Sequence, residues 1–116
     1  MNSLPNELIP DSAVQAALEY LAQDPAPVAI AKGEMVRAEN LRKKIRSEGF
    51  MKSDKKTVAE READSETSPS YEAACKHEAD AVEKYESERA RVTWATTITE
   101  LWRSVQANAR AAERVR

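Results

Sequence analysis

From Ser70 to Arg116 no glycine or proline interrupts the chain. Ser68 is placed to N-cap a helix, Pro69 suits its first turn, and Glu72 complements the positive end of the helix dipole. The spacing predicts one unbroken helix over 69–115. At about 1.5 Å per residue it runs roughly 70 Å, further than a small globule is wide. A helix of that length needs other helices, or copies of itself, to lean on.

Composition sets the frame for that helix. Two glycines in 116 residues, with abundant Ala, Glu, Arg and Lys, mark an all-α chain of one domain, 1–116. Leu, Ile, Val and Phe make up only about one residue in six, a thin supply for a core. Alanine lets helices approach closely but buries little area per residue. The fold expected is an elongated helical hairpin or bundle with one very long C-terminal helix, stabilised by association into a homo-oligomer. The formal charge of −2 carries neither the basic signature of a nucleic-acid binder nor the acidity of a DNA mimic. A lone cysteine, Cys75, excludes an internal disulfide framework and fits a reducing compartment. With no signal-peptide pattern and no membrane-length apolar run, the expectation is a soluble cytoplasmic protein.

Taken in order, residues 1–10 read as an irregular arm, with Leu4, Leu8 and Ile9 as anchors. Ser12 and Gln15 have capping-box spacing, and Val14, Ala17, Leu18 and Leu21 share a face, predicting a helix over 12–23. Asp24 as N-cap and Pro25 in the first turn open a second helix, 25–49, with its stripe at Val28, Ala31, Met35, Ala38, Leu41 and Ile45. Gly33 inside it suggests a close helix contact, and Gly49 reads as the residue just past its end. Phe50 and Met51 follow outside the helix. After a polar loop, Thr57 and Glu60 form a second capping box for a short helix, 57–66.

The long helix has two regimes. Tyr71, Cys75, Val82, Tyr85 and Val92 make a thin stripe interrupted by Glu78 and Arg89, with Glu72–Lys76 and Asp80–Lys84 as i,i+4 pairs. Beyond Val92 the apolar face widens to Trp94, Ile98, Leu101, Trp102 and Val105, the expected core or oligomer interface. Three-residue steps from Val92 through Ala95 to Ile98 break a strict heptad and favour a bundle over a simple coiled coil.

The residues that carry chemistry are few. Two glycines cannot build a phosphate loop. His77 stands two positions from Cys75, on a different helix face, so the two do not form a metal pair. Cys75 has no evident activating base. Glu60, Glu62, Asp64, Glu66, Glu78, Asp80 and Glu83 lack the Glu-x-x-His pattern of di-metal bundles and read as solvated faces. No enzyme, metal or cofactor is expected. One cluster stands out: Arg42, Lys43, Lys44, Arg46, Lys52, Lys55 and Lys56, against only Glu48 and Asp54, with Arg103, Arg110, Arg114 and Arg116 in the tail. Such cations can follow a phosphate backbone, with Phe50 available for base stacking. They also complement helix C-termini and keep a surface solvated.

Three runs, T-V-A-E-R-E-A-D-S-E-T-S-P-S-Y-E-A-A, V-E-K-Y-E-S-E-R-A-R and I-T-E-L-W-R-S-V-Q-A-N-A-R, resemble a group of small all-helical bacteriophage proteins of unassigned function. The matching positions are Arg61, Tyr71, Trp102, Arg103, Asn108 and Arg110, within about the last sixty residues. The resemblance implies a neighbourhood of phage recombination or replication genes, with a recombination or single-strand-binding protein as partner. Three readings follow: a non-enzymatic accessory protein acting through protein contacts, a single-stranded DNA binder using the basic cluster, and an inhibitor of a host defence or recombination enzyme.

Overall fold

The computed structural model describes residues 9–115, and of Val115 the backbone only. The described chain is all-α: α1 spans Asp11–Leu21, α2 Pro27–Lys52, α3 Val58–Glu66 and α4 Pro69–Val115. The long helix is therefore continuous over the predicted range. Of the N-terminal arm, Leu4 and Leu8 lie outside the described residues, while Ile9 is buried. The chain divides into two compact units, one formed by Val28–Ser87 and the other by the segments up to Pro27 and from Glu88 onward.

Helix starts follow local chemistry, not always as the sequence suggests. Ser68 caps α4 through its hydroxyl, which accepts from the backbone N–H of Tyr71 at 3.2 Å. Thr57 caps α3 by accepting from Glu60 N–H at 3.1 Å, and returns its own hydroxyl proton to the Glu60 carboxylate at 3.0 Å. The Ser12–Gln15 box does not form. Pro10 is the N-cap of α1, its carbonyl accepting from Ala13 and Val14, so Ser12 already lies within the first turn and Gln15 donates to Glu19. Asp24 does not cap α2 either. Pro27 occupies the first helical position, and the residue before a proline is driven out of the α region, so the helix cannot begin before it.

In the Val28–Ser87 unit, α2 presents Val28, Ala31, Met35, Ala38, Arg42, Ile45 and Gly49 inward, in steps of three and four. Arg42 replaces the expected Leu41, which is 43% exposed, because its guanidinium reaches Glu78 on α4. From α4 the same unit receives buried Ala74 and Ala81 and half-buried Tyr71, Glu78 and Tyr85, while Val82 faces solvent. In the other unit, Ala17, Tyr20 and Ala95 form the core, with Val92 and Ile98 against it. Here α1 is turned from the expected face: Val14, Ala17 and Tyr20 are buried and Leu18 and Leu21 are exposed. The Tyr20 hydroxyl finds its acceptor on Glu88, which fixes which side of α1 goes inward.

The inward positions of α4 thus step 71, 74, 78, 81, 85, 88, 92, 95, 99, 102, 106, an unbroken alternation of three and four. Polar Glu78, Glu88 and Thr99 occupy positions on this stripe where an apolar residue is usual, and Ile98 packs against the core beside it, so the apolar residues alone do not trace a heptad.

Neither glycine plays its expected part. Gly49 lies inside α2, which runs on through Phe50 and Met51, and it marks a close crossing with α3. A Cβ there would stand 2.6 Å from Ser65 Oγ and 3.1 Å from Ser65 Cα. Ser65 is buried, and its hydroxyl donates to the Arg46 carbonyl. At Gly33 a Cβ would meet only the flexible end of Arg37, one turn on. The two positions should therefore respond oppositely to alanine. Gly33→Ala is expected to raise stability by up to about 1 kcal/mol through helix propensity. Gly49→Ala should lower it by about 1–3 kcal/mol through overpacking against Ser65. Urea unfolding of both variants checks the pair.

Candidate interaction surfaces and the basic cluster

The seven clustered cations do not act as one group. Arg42 Nε lies 2.7 Å from Glu78 Oε1 across the α2–α4 contact, both side chains about a quarter exposed. The Arg42 guanidinium is held above its ordinary pKa first by Glu78 and then by the Tyr71 hydroxyl. Arg46 makes a two-nitrogen contact with a single Glu66 oxygen on α3, at 2.9 and 3.0 Å. Lys43 pairs with Glu39 at 3.0 Å and Lys44 more loosely with Glu48 at 3.9 Å, each within α2. Lys52, Lys55 and Lys56 have no carboxylate partner among the described residues and sit at the end of α2 and in the following loop. Four of the seven therefore neutralise this chain's own carboxylates, and three stand open to an external anion.

The stacking candidate is engaged as well. The Arg61 guanidinium lies over the Phe50 ring at 5.8 Å, and its Nε donates to the Lys55 carbonyl at 2.9 Å. Arg61 thus clips the 53–57 loop to α3, with Phe50 beneath it. Of the other positions that carry the phage resemblance, Tyr71 and Trp102 are half-buried and Arg103, Asn108 and Arg110 are exposed on α4. Arg114 is exposed too, and Arg116 lies outside the described residues.

The remaining chemical candidates are dispersed. Cys75 is half-buried and His77 exposed, and the two-residue step of about 200° around α4 points them apart. His77 borders a shallow cleft of about 250 Å³ with Glu34, Arg37, Asp80 and Lys84. The expected Asp80–Lys84 pair is not made, since Lys84 reaches Glu34 on α2 at 3.2 Å. Several carboxylates considered for a metal have other work: Glu78 holds Arg42, Glu66 holds Arg46, and Asp64 accepts from Ser53 at 2.8 Å. Among the described residues no cluster of three His, Cys, Asp or Glu side chains is set to grip an ion. A second cleft, about 300 Å³, opens between α2 and α3 and is lined by Arg46, Ser47, Phe50, Met51, Glu62 and Ser65.

Of the residues expected at an interface, Trp94 and Leu101 are 43% and 49% exposed, while Ile98, Trp102 and Val105 are half-buried. None is fully covered by this chain. No protein-family model matches the sequence, and no curated protein or solved structure matches it. No helix among the described residues is long and apolar enough to cross a membrane.

The polar contact that sequence reading missed is at Tyr20. Its hydroxyl donates to Glu88 Oε1 at 2.7 Å, and Arg91 stacks over its ring at 5.1 Å. Burial, then the hydrogen bond to Glu88 and that residue's negative charge, push the phenol above its usual pKa, with Arg91 pulling the other way. A raised folded-state value means the native protein keeps this proton to higher pH than the unfolded chain. The resulting stabilisation is complete below about pH 10 and is lost as pH rises through the folded value. Tyr20→Phe should lower the urea midpoint at neutral pH, and the gap to wild type should narrow on the alkaline side. A gap that stays constant up to about pH 11 would show that Tyr20 is not the titrating group.

Proposed function

We propose that the protein is a non-enzymatic helical accessory factor that assists phage DNA recombination or replication through protein contacts. The phage setting rests on the resemblance carried by Arg61, Tyr71 and the Trp102–Arg110 segment. The observation that carries the mode of action is the division of labour on the surface. Most of the basic cluster is neutralised by Glu39, Glu48, Glu66 and Glu78, whereas large apolar side chains on α4 stand open to solvent. Isolated exposed apolar residues are ordinary, but an aromatic and aliphatic set on one helix marks a protein-binding surface. Affinity capture with the full chain from infected cells, retaining a phage recombination or single-strand-binding protein, is the direct test.

The DNA-binding reading has a specific observation in its favour, the unpaired trio Lys52, Lys55 and Lys56, and it makes a quantitative demand. Binding of single strands loses about 0.7 in log–log salt slope per phosphate neutralised, so three free lysines give a slope of roughly −2, and all seven cations roughly −5. We expect the shallow slope, with affinity no tighter than the nonspecific range of about 10⁻⁴ to 10⁻⁶ M. Neutralising Lys43 and Lys44 should leave the slope unchanged, whereas Lys52→Gln with Lys55→Gln and Lys56→Gln should abolish it. Nanomolar binding in moderate salt would transfer the function to DNA.

A further inference from the structure

The exposed apolar residues of α4 belong to a longer face with an unusual property. Taking 100° per residue and Leu101 as origin, Trp94, Ile98, Val105, Asn108 and Ala112 fall within about 60° of it. The charged residues of the same stretch, Glu100, Arg103, Arg110, Glu113 and Arg114, all lie about 100° or more away. From Trp94 to Ala112, roughly 28 Å of helix, this face carries no charge. Trp94, Leu101, Asn108 and Ala112 are exposed and Val105 is half-buried, while Ile98, at the edge of the face, also packs against the Ala17–Tyr20–Ala95 core. Apart from Ile98, which the two share, it lies beside the stripe that packs inward through Val92, Ala95, Thr99 and Trp102.

The face also tapers. Its bulky members, Trp94, Ile98 and Leu101, come first, and its small ones, Asn108 and Ala112, come last. A second copy laid antiparallel with its two-fold axis near Arg103 sets Trp94 against Ala112, Ile98 against Asn108 and Leu101 against Val105. Every layer then joins a large residue to a smaller one, as close packing requires. A parallel copy would stack tryptophan on tryptophan and leave the alanine end hollow. Charge agrees: two uncharged faces meet without desolvating an ion, and Arg103 and Arg110 of both copies project away to solvent. At about 28 Å by 10 Å the face presents roughly 300 Å² in projection, which places the contact among small, weak interfaces.

We infer that Trp94, Ile98, Leu101, Val105, Asn108 and Ala112 form an antiparallel, two-fold docking face for a second copy of this chain. The inference rests on the reading that the protein works through protein contacts, and names one of those contacts.

The full chain should dimerise reversibly with a micromolar dissociation constant in sedimentation equilibrium. Leu101→Glu, a change at an exposed position, should weaken dimerisation more than about tenfold with helical circular dichroism unchanged. Orientation is read by oxidative cross-linking in a Cys75→Ser background. Ser104→Cys lies next to the axis and should form a disulfide-linked dimer. Thr97→Cys should not, because the pairing separates its two copies by roughly 18 Å along the helix, beyond the 7 Å limit for a disulfide. A chain that stays monomeric, a dimer indifferent to Leu101→Glu, or Thr97→Cys linking as readily as Ser104→Cys would each overturn the pairing. A monomer that still captures a phage partner would remove this dimer and leave the accessory function standing.

Discussion

Close approach of helices along small side chains is the constraint on which the rest of the structure depends. Ala31 and Ala38 on α2 and Ala74 and Ala81 on α4 are buried in one unit, and Ala17 and Ala95 in the other. Methyl groups let backbones come near but remove little apolar area from water, at about 25 cal/mol per Å². Such a contact is shape-complementary and energetically thin. The chain compensates with polar rungs on the same stripe: Glu78 meets Arg42, Glu88 meets Tyr20, and the Thr99 hydroxyl returns to the Ala95 carbonyl at 2.8 Å. No buried side-chain nitrogen or oxygen among the described residues is left without a hydrogen-bond partner. That matters because an unsatisfied buried group costs about 1–3 kcal/mol, as much as a small core residue contributes.

This mixture explains what could be read from the sequence and what could not. The length of α4 was legible because helix-breaking residues are absent and Ser68-Pro69 announces its start. The α3 cap at Thr57 was legible for the same local reason. The inward face of α4 was harder, since a search for apolar periodicity passes over Ala74 and Ala81 and counts Glu78 as an interruption. On α1, the choice between Leu21 and Tyr20 turned on a hydrogen bond to Glu88, sixty-eight positions away. No local pattern encodes such a partner.

Gly49 shows the same limit. A glycine followed by Phe50 and Met51 has the local character of a helix end, yet its role is to admit Ser65 from another helix. The basic cluster is visible in the sequence as a concentration of charge. Its division into paired Arg42, Lys43, Lys44 and Arg46 and open Lys52, Lys55 and Lys56 depended on where Glu66 and Glu78 come to lie. Charge counted along a chain is therefore a weaker guide to binding than charge left over after folding.

The ionic rungs of the Val28–Ser87 unit have a consequence beyond their modest strength. An alanine stripe is nearly invariant to sliding: moved by one heptad, Ala74 takes the place of Ala81 and the apolar contact scarcely changes. The same slide would set Arg42 against Tyr71 or Tyr85 and part Glu34 from Lys84, stranding a half-covered charge. Arg42–Glu78 and Glu34–Lys84 thus work as a vernier, two marks eight residues apart on α2 and six on α4 that coincide in one alignment only.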